Sequence, residues 1–160
     1  MENVKRALNL TNLLKLKSIF LFGPRSTGKT TLIKDQLSNA TLYDLLDSRT
    51  FSRLIRDNHL LEDENRNSKE NIIVIDEIQK MPKLLDEIHR LIFEYNIRFL
   101  LTGSSARKLK RGSANLLAGR AWKSELFPLT FNEISSFDLE KYLNRGGLPQ
   151  VYYSENSTLE

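Results

Sequence analysis

Eight consecutive residues, Gly23-Pro24-Arg25-Ser26-Thr27-Gly28-Lys29-Thr30, set two glycines, a lysine and a hydroxyl at a spacing suited to holding a phosphate chain. A triphosphate needs several converging N–H donors, and a glycine-bearing turn lets the backbone come close enough to supply them. The helix expected from residue 29 would aim its N-terminal dipole at the same anion. Lys29 would place a point charge between the β- and γ-phosphates, and the Thr30 hydroxyl would ligate Mg²⁺. With Thr31 following, the expected cofactor-contacting set is Gly23, Pro24, Arg25, Ser26, Thr27, Gly28, Lys29, Thr30 and Thr31. The plain alternative is a loop whose glycines only turn the chain. An apolar run leading into Gly23 and a helical pattern beginning at Gly28 weigh against it.

Two further groups could act with this loop. Ile72-Ile73-Val74-Ile75 is a buried-strand pattern that ends in two carboxylates, Asp76 and Glu77. A parallel sheet delivers the C-terminal ends of its strands to one edge, where ligands bind. Asp76 is therefore expected beside Thr30 as a Mg²⁺ residue, and Glu77 is placed to orient or activate a water attacking the γ-phosphate. The alternative is that the acids solvate the strand end or cap the next helix. Phe99-Leu100-Leu101 runs into Thr102-Gly103-Ser104-Ser105, which would carry Thr102 or Ser104 to the γ-phosphate as a sensor. A helix N-cap explains these hydroxyls equally well, with Ser105 as the cap.

The elements that must position these groups follow from the apolar spacing. Strands are expected at 18–22, 41–46, 71–75, 97–101 and near 121–127, and helices at 29–38, 49–57 and 82–95, with another from about Thr130. Thr130 before Glu133 has capping-box spacing. Residues 57–70 are polar, mostly acidic and aperiodic, and read as a surface loop. A helix around Leu10 to Leu16 would flank the base of a bound nucleotide. Strands alternating with helices make an α/β, doubly wound parallel sheet.

The composition suits such a domain. A length of 160 residues, 40% apolar and 28% charged, supports one globular domain with its own core. No cysteine is present, which excludes disulfides and thiolate metal sites and fits a reducing cytoplasm. No run approaches a membrane span, and Lys15 and Lys17 interrupt the N-terminal apolar region where a signal peptide would be continuous.

With these motifs in place, the chain resembles the AAA+ division of P-loop ATPases. GPRSTGKTTL reads as its Walker A segment and NIIVIDEIQKMPKLL as its Walker B segment. FLLTGSSARKL, LLAGRAWKSELFPLTFNEI and GGLPQVY point more narrowly to bacterial and archaeal ATPases in which such a module precedes a C-terminal domain of unknown function. The resemblance covers about residues 10–153. It implies a P-loop NTPase three-layer sandwich with a five-stranded parallel sheet in the order 5-1-4-3-2, Mg·ATP as ligand and hydrolysis as activity. Lys29, Thr30, Asp76 and Glu77 match the family's phosphate, metal and water residues, and Ser104 most nearly matches the polar sensor. Arg120, in LAGR, falls where the family has an arginine, which would act on its own site, on a neighbour's, or only as an anchor to the acidic surface around Glu62 to Glu64. Residues 1–160 are expected to be one such domain, with about 130–160 the start of a C-terminal region.

The remaining features carry less. His59 and His89 are far apart, and His89 lies beside the apolar stripe of its helix, as a solvated histidine would. Trp122 is expected to pack on the sheet. The basic segment 107–123 could bind nucleic acid, although a solvated charged loop explains it as well. Three functions fit the pattern: an ATPase driving a conformational or assembly change, possible as a homo-oligomer; an ATP-binding regulatory module with little turnover; and a small P-loop kinase. The adjacent Asp76 and Glu77 argue against the kinase.

Overall fold

An apolar run with no polar face must be covered on both sides, and the central strands obey this in a computed structural model describing residues 4–57, 59–66, 72–104, 109 and 117–154. The strands are β1 (Ser18–Phe22), β2 (Thr41–Asp44), β3 (Ile72–Asp76), β4 (Arg98–Gly103) and β5 (Ala121–Glu125). They form one sheet in the order β2-β3-β4-β1-β5, and every pairing is parallel. Read from the other side, this is the order 5-1-4-3-2.

Successive residues of each strand point to opposite faces, and the core divides accordingly. One face gathers Phe20, Phe22, Ile73, Ile75, Phe99 and Leu101 under α3 (Ser48–Arg56), α4 (Leu60–Asn65) and α5 (Leu84–Tyr95). The other gathers Ile19, Leu21, Val74 and Leu100 under α1 (Leu10–Leu16) and α2 (Lys29–Gln36). The result is a three-layer P-loop NTPase fold. The edge strand β5 carries Lys123 and Glu125 as an exposed ion pair, the kind of charge that discourages edge-to-edge pairing. No helix among the described residues is long and apolar enough to cross a membrane.

Two expectations are corrected. The acidic segment 57–70 is not all loop, because residues 60–65 form α4. Leu61 is buried in the core, and buried Asn65 donates to the Tyr43 hydroxyl and to the Leu61 carbonyl, each at 2.9 Å. These tertiary contacts outweigh the weak periodicity. The helix expected from Thr130 is only a 3-10 turn, Phe131–Glu133, although its capping box is present. Ile134 is extended at φ −101° and ψ 111°, so the turn cannot propagate. The chain then continues through α6 (Leu139–Arg145) and α7 (Pro149–Tyr152), whose Tyr142 and Tyr152 rings pack 6.1 Å apart.

Candidate functional site

The register places the expected chemistry on one edge. Phe22, the last residue of β1, pairs with Gly103 of β4 and Glu125 of β5, and Asp44 of β2 pairs with Asp76 of β3. The phosphate-loop pattern leaves β1 at Gly23, so the loop, the Asp76-Glu77 pair and Ser104 converge there. The loop is turned by Ser26 at φ 64° and Gly28 at φ 91°. A side chain would strain the backbone at Gly28, which is also where α2 begins. Pro24, Arg25 and Ser26 are exposed, Thr27 is fully buried, and Thr30 and Thr31 are exposed on the first turn of α2.

Lys29 is only 9% exposed. Its ammonium donates to the carbonyls of Gly23 at 2.7 Å and Pro24 at 2.9 Å, curling back over the loop. Burial pushes its pKa below the ordinary lysine value, the carboxylates of Glu77 and Asp76 oppose that, and Arg25 adds to it. A cation in this position gains from an anion placed in the loop.

At the ends of β3 and β4 the side chains interlock. Thr102, fully buried, donates from its hydroxyl to Asp76 and accepts the Glu77 backbone N–H at 3.1 Å. Of the two hydroxyls considered for sensing, Thr102 therefore holds Asp76, while Ser104 lies one step beyond the strand. Glu77 adopts a left-handed backbone, φ 60° and ψ 45°. For a residue with a Cβ this costs on the order of 1 kcal/mol and is held by the surrounding contacts. The sequence pattern offers Thr102 only as a sensor and not as the residue that holds Asp76, and it does not single out Gln79. An amide two positions after an acid pair is the only local signal that would have raised Gln79.

Next to the loop, Arg6 donates from Nη1 to the Thr27 carbonyl at 2.6 Å, from Nη2 to the Phe127 carbonyl at 2.7 Å and from Nε to Glu133 at 2.9 Å. The Arg6 and Glu133 side chains are 7% and 5% exposed. Glu133 also accepts from the Ala7 N–H and from the Thr130 N–H and hydroxyl. A cavity of about 530 Å³ opens between residues 4–7, residues 132–135 and Tyr153. The helix expected to flank a base, α1, forms as predicted, but Leu10 and Leu14 are buried in the core and Gln36 of α2 accepts the Leu10 N–H.

Arg120 stands elsewhere. It immediately precedes β5, whose first residue pairs with Ser18, so it lies at the N-terminal edge of the sheet. β1 separates that edge from the loop by about 13 Å, at roughly 3.3 Å per residue. Its guanidinium carbon is 5.6 Å from the centre of the Phe93 ring. The carboxylates suggested as its anchor are engaged otherwise, Glu62 by Arg90 and Tyr95 and Glu64 by Arg53 and Tyr43. His59, Glu62 and Glu87 bring possible ligand atoms within 4.8 Å of one another, but Arg90 already bridges the two glutamates. His89 is not solvated as expected, since its Nε2 is buried with no partner among the described residues. Trp122, on β5, is 41% exposed, with the Lys17 ammonium 5.8 Å from the centre of its ring. Ser105, Arg107, Lys108, Lys110 and Arg111, the expected cap and most of the basic segment, lie outside the described residues.

Residues 15–135 match the family described as AAA domain. An uncharacterized protein of Mycobacterium tuberculosis is 29% identical over 143 residues, covering 87% of this chain and 31% of that protein. An uncharacterized protein of Methanocaldococcus jannaschii is 24% identical over 190 positions, covering 100% of this chain and 43% of that one. The chain thus spans less than half the length of these relatives. Among solved structures, the Signal Transduction ATPase with Numerous Domains protein with a tetratricopeptide repeat sensor from Pyrococcus horikoshii shares the fold, with a TM-score of 0.55 at 18% identity over 98% of this chain and 30% of that one.

Proposed function

Because the chain belongs to the AAA domain family, we propose that it binds Mg·ATP through residues 23–31 and hydrolyses it. The observation that carries this reading is Lys29, a buried ammonium held by two loop carbonyls at the edge where Asp76 and Glu77 arrive. In the bound state Lys29 would leave those carbonyls for the β- and γ-phosphates, recovering in charge pairing what burial costs it. Thr30 and Asp76 offer a hydroxyl and a carboxylate, hard oxygen donors of the kind Mg²⁺ takes. The ion would supply positive charge against the phosphate oxygens. Glu77 would orient a water for attack on the γ-phosphorus, with the bond to the β–γ bridging oxygen breaking to release ADP and inorganic phosphate. Ser104, just past β4, would report γ-phosphate occupancy. The cavity beside Arg6 falls in the size range of small-molecule sites and offers a seat for the base.

A second reading, an ATP-dependent switch with little turnover in the isolated chain, is favoured by Arg120. Its place at the far edge of the sheet leaves the site without that cation unless a second copy supplies it. Homo-oligomerisation and coupling to a conformational or assembly change belong to this proposal, as does a cytoplasmic location. Phosphate release from ATP, with and without candidate acceptors, distinguishes the readings. An ATPase releases phosphate without an acceptor, and Glu77→Gln lowers the rate at least tenfold while Mg·ATP binding persists. An unchanged rate in Glu77→Gln would remove Glu77 from the chemistry, and acceptor-dependent transfer would favour the kinase.

A further inference from the structure

Gln79 lies on the 3-10 turn Ile78–Lys80 that follows Glu77. The left-handed backbone of Glu77 bends the chain so sharply that the side chain two residues on folds back against it. There the Gln79 amide nitrogen donates to the Glu77 carboxylate and, at 3.4 Å, to the Ser104 hydroxyl. Its Oε1 is buried with no donor among the described residues. The amide is therefore oriented by its two acceptors, since the reverse setting would put Oε1 against a carboxylate. Gly103 makes the seat. A Cβ at that position would lie 2.6 Å from Gln79 Oε1 and 3.4 Å from the Phe22 ring. One amide thus joins the ends of β3 and β4 through the two side chains proposed to act on the water and to sense the γ-phosphate.

We propose that Gln79 is a positioning residue, fixing the Glu77 carboxylate and coupling its orientation to Ser104; this rests on the ATPase reading above. A glutamate at a strand end rotates about three side-chain bonds, and a misplacement of about 1 Å at a reacting centre can cost on the order of a hundredfold in rate. The amide removes that freedom. Because the same nitrogen holds Ser104, a shift of that hydroxyl toward a bound γ-phosphate changes the pull on Glu77, so the carboxylate is set when phosphate is present.

The test uses the intact chain. Gln79→Met keeps side-chain length and drops both hydrogen bonds. Steady-state phosphate release, displacement of a fluorescent ATP analogue and melting of the unliganded protein are measured beside wild type and Glu77→Gln. The expected result is at least a tenfold fall in kcat, a change of less than twofold in ATP affinity and an unaltered melting temperature. Gln79→Met combined with Glu77→Gln is expected to be no slower than Glu77→Gln alone, because Gln79 acts through that carboxylate. Should Gln79→Met fold poorly, Gly103→Ala displaces the amide from the other side and is expected to give the same loss of kcat. Gln79→Met and Gly103→Ala at wild-type rate, with Glu77→Gln inactive, would overturn the inference and leave the ATPase reading standing. A parallel loss of affinity and kcat would also overturn it, since that marks collapse of the site. Glu77→Gln at wild-type rate, or no phosphate release from wild type, would sink the ATPase reading and this inference together.

Discussion

Glu133→Ala tests what holds the phosphate loop in place. The substitution removes the carboxylate that Arg6 meets at 2.9 Å and leaves a guanidinium whose side chain is 7% exposed. Removing one partner of a buried ion pair costs roughly 3–5 kcal/mol when the other charge stays buried. Arg6 keeps its two carbonyl acceptors, on Thr27 and Phe127, so its charge is not left wholly unpartnered and the lower end applies, about 3 kcal/mol. For a domain of this size each kcal/mol shifts Tm by roughly 2–4 °C, which predicts a fall of about 6–12 °C by calorimetry. The pH dependence supplies an independent sign. Burial alone would raise the Glu133 pKa, but Arg6 and the backbone N–H groups of Ala7 and Thr130 more than reverse this and hold it below the ordinary value. A carboxyl whose folded pKa lies below its unfolded one stabilises the protein above the unfolded value, about 4.3, and loses that contribution as pH falls through the folded value. Glu133→Gln should therefore melt below wild type at pH 7, and the gap should close toward pH 3. Since Arg6 also donates to the Thr27 carbonyl, both variants should bind Mg·ATP more weakly. If Glu133→Gln tracks wild type from pH 7 to pH 3, the Arg6–Glu133 pair contributes nothing to stability and does not hold the loop.

Saturating Mg·ATP at about a hundred times Kd should stabilise the wild type by about 2.7 kcal/mol, a melting shift of several degrees. Lys29→Ala should lose most of that shift, and an equal shift in both proteins would refute the phosphate-loop reading. Arg120→Ala and Lys29→Ala should each be inactive alone and regain phosphate release when mixed, one supplying the cation and the other the nucleotide site. A mixture that stays inactive, with wild-type turnover independent of protein concentration, would refute action between copies.

The glycine-bearing loop at 23–30 and the acid pair stood out because phosphate chemistry would fix residue type at short, regular spacing, and the buried strands were legible because an unbroken apolar run has few alternatives. The same reasoning gave the sheet only as parallel and doubly wound; its strand order came from the resemblance. What stayed hidden depends on contacts distant in sequence. Arg6 and Glu133 are 127 residues apart, and nothing near either one announces the other. Helix α4 escaped because its stabilising residues, Leu61 and Asn65, find their partners in the core and on Tyr43 rather than in a run of their own. The helix expected from Thr130 shows the converse. Its capping box exists, yet Glu133 serves Arg6 at the same time, and the cap closes a single turn.

The parallel topology that assembles the site also decides what one chain cannot do with Arg120. Strands running the same way send their C-terminal ends, with Gly23, Asp76, Glu77 and Ser104, to one edge, and their N-terminal ends to the other. A residue immediately before β5 is carried to that second edge by the pairing that brings Glu125 level with Phe22. The Arg120 head rests on Phe93, turned to that second edge and about 13 Å, the length of β1, from the loop. Phe93 itself is 74% exposed, so the pair sits on open surface rather than in a structural core. A role for Arg120 in phosphate chemistry therefore requires a second site brought to it, which makes the dependence of turnover on protein concentration a direct readout of whether it has one.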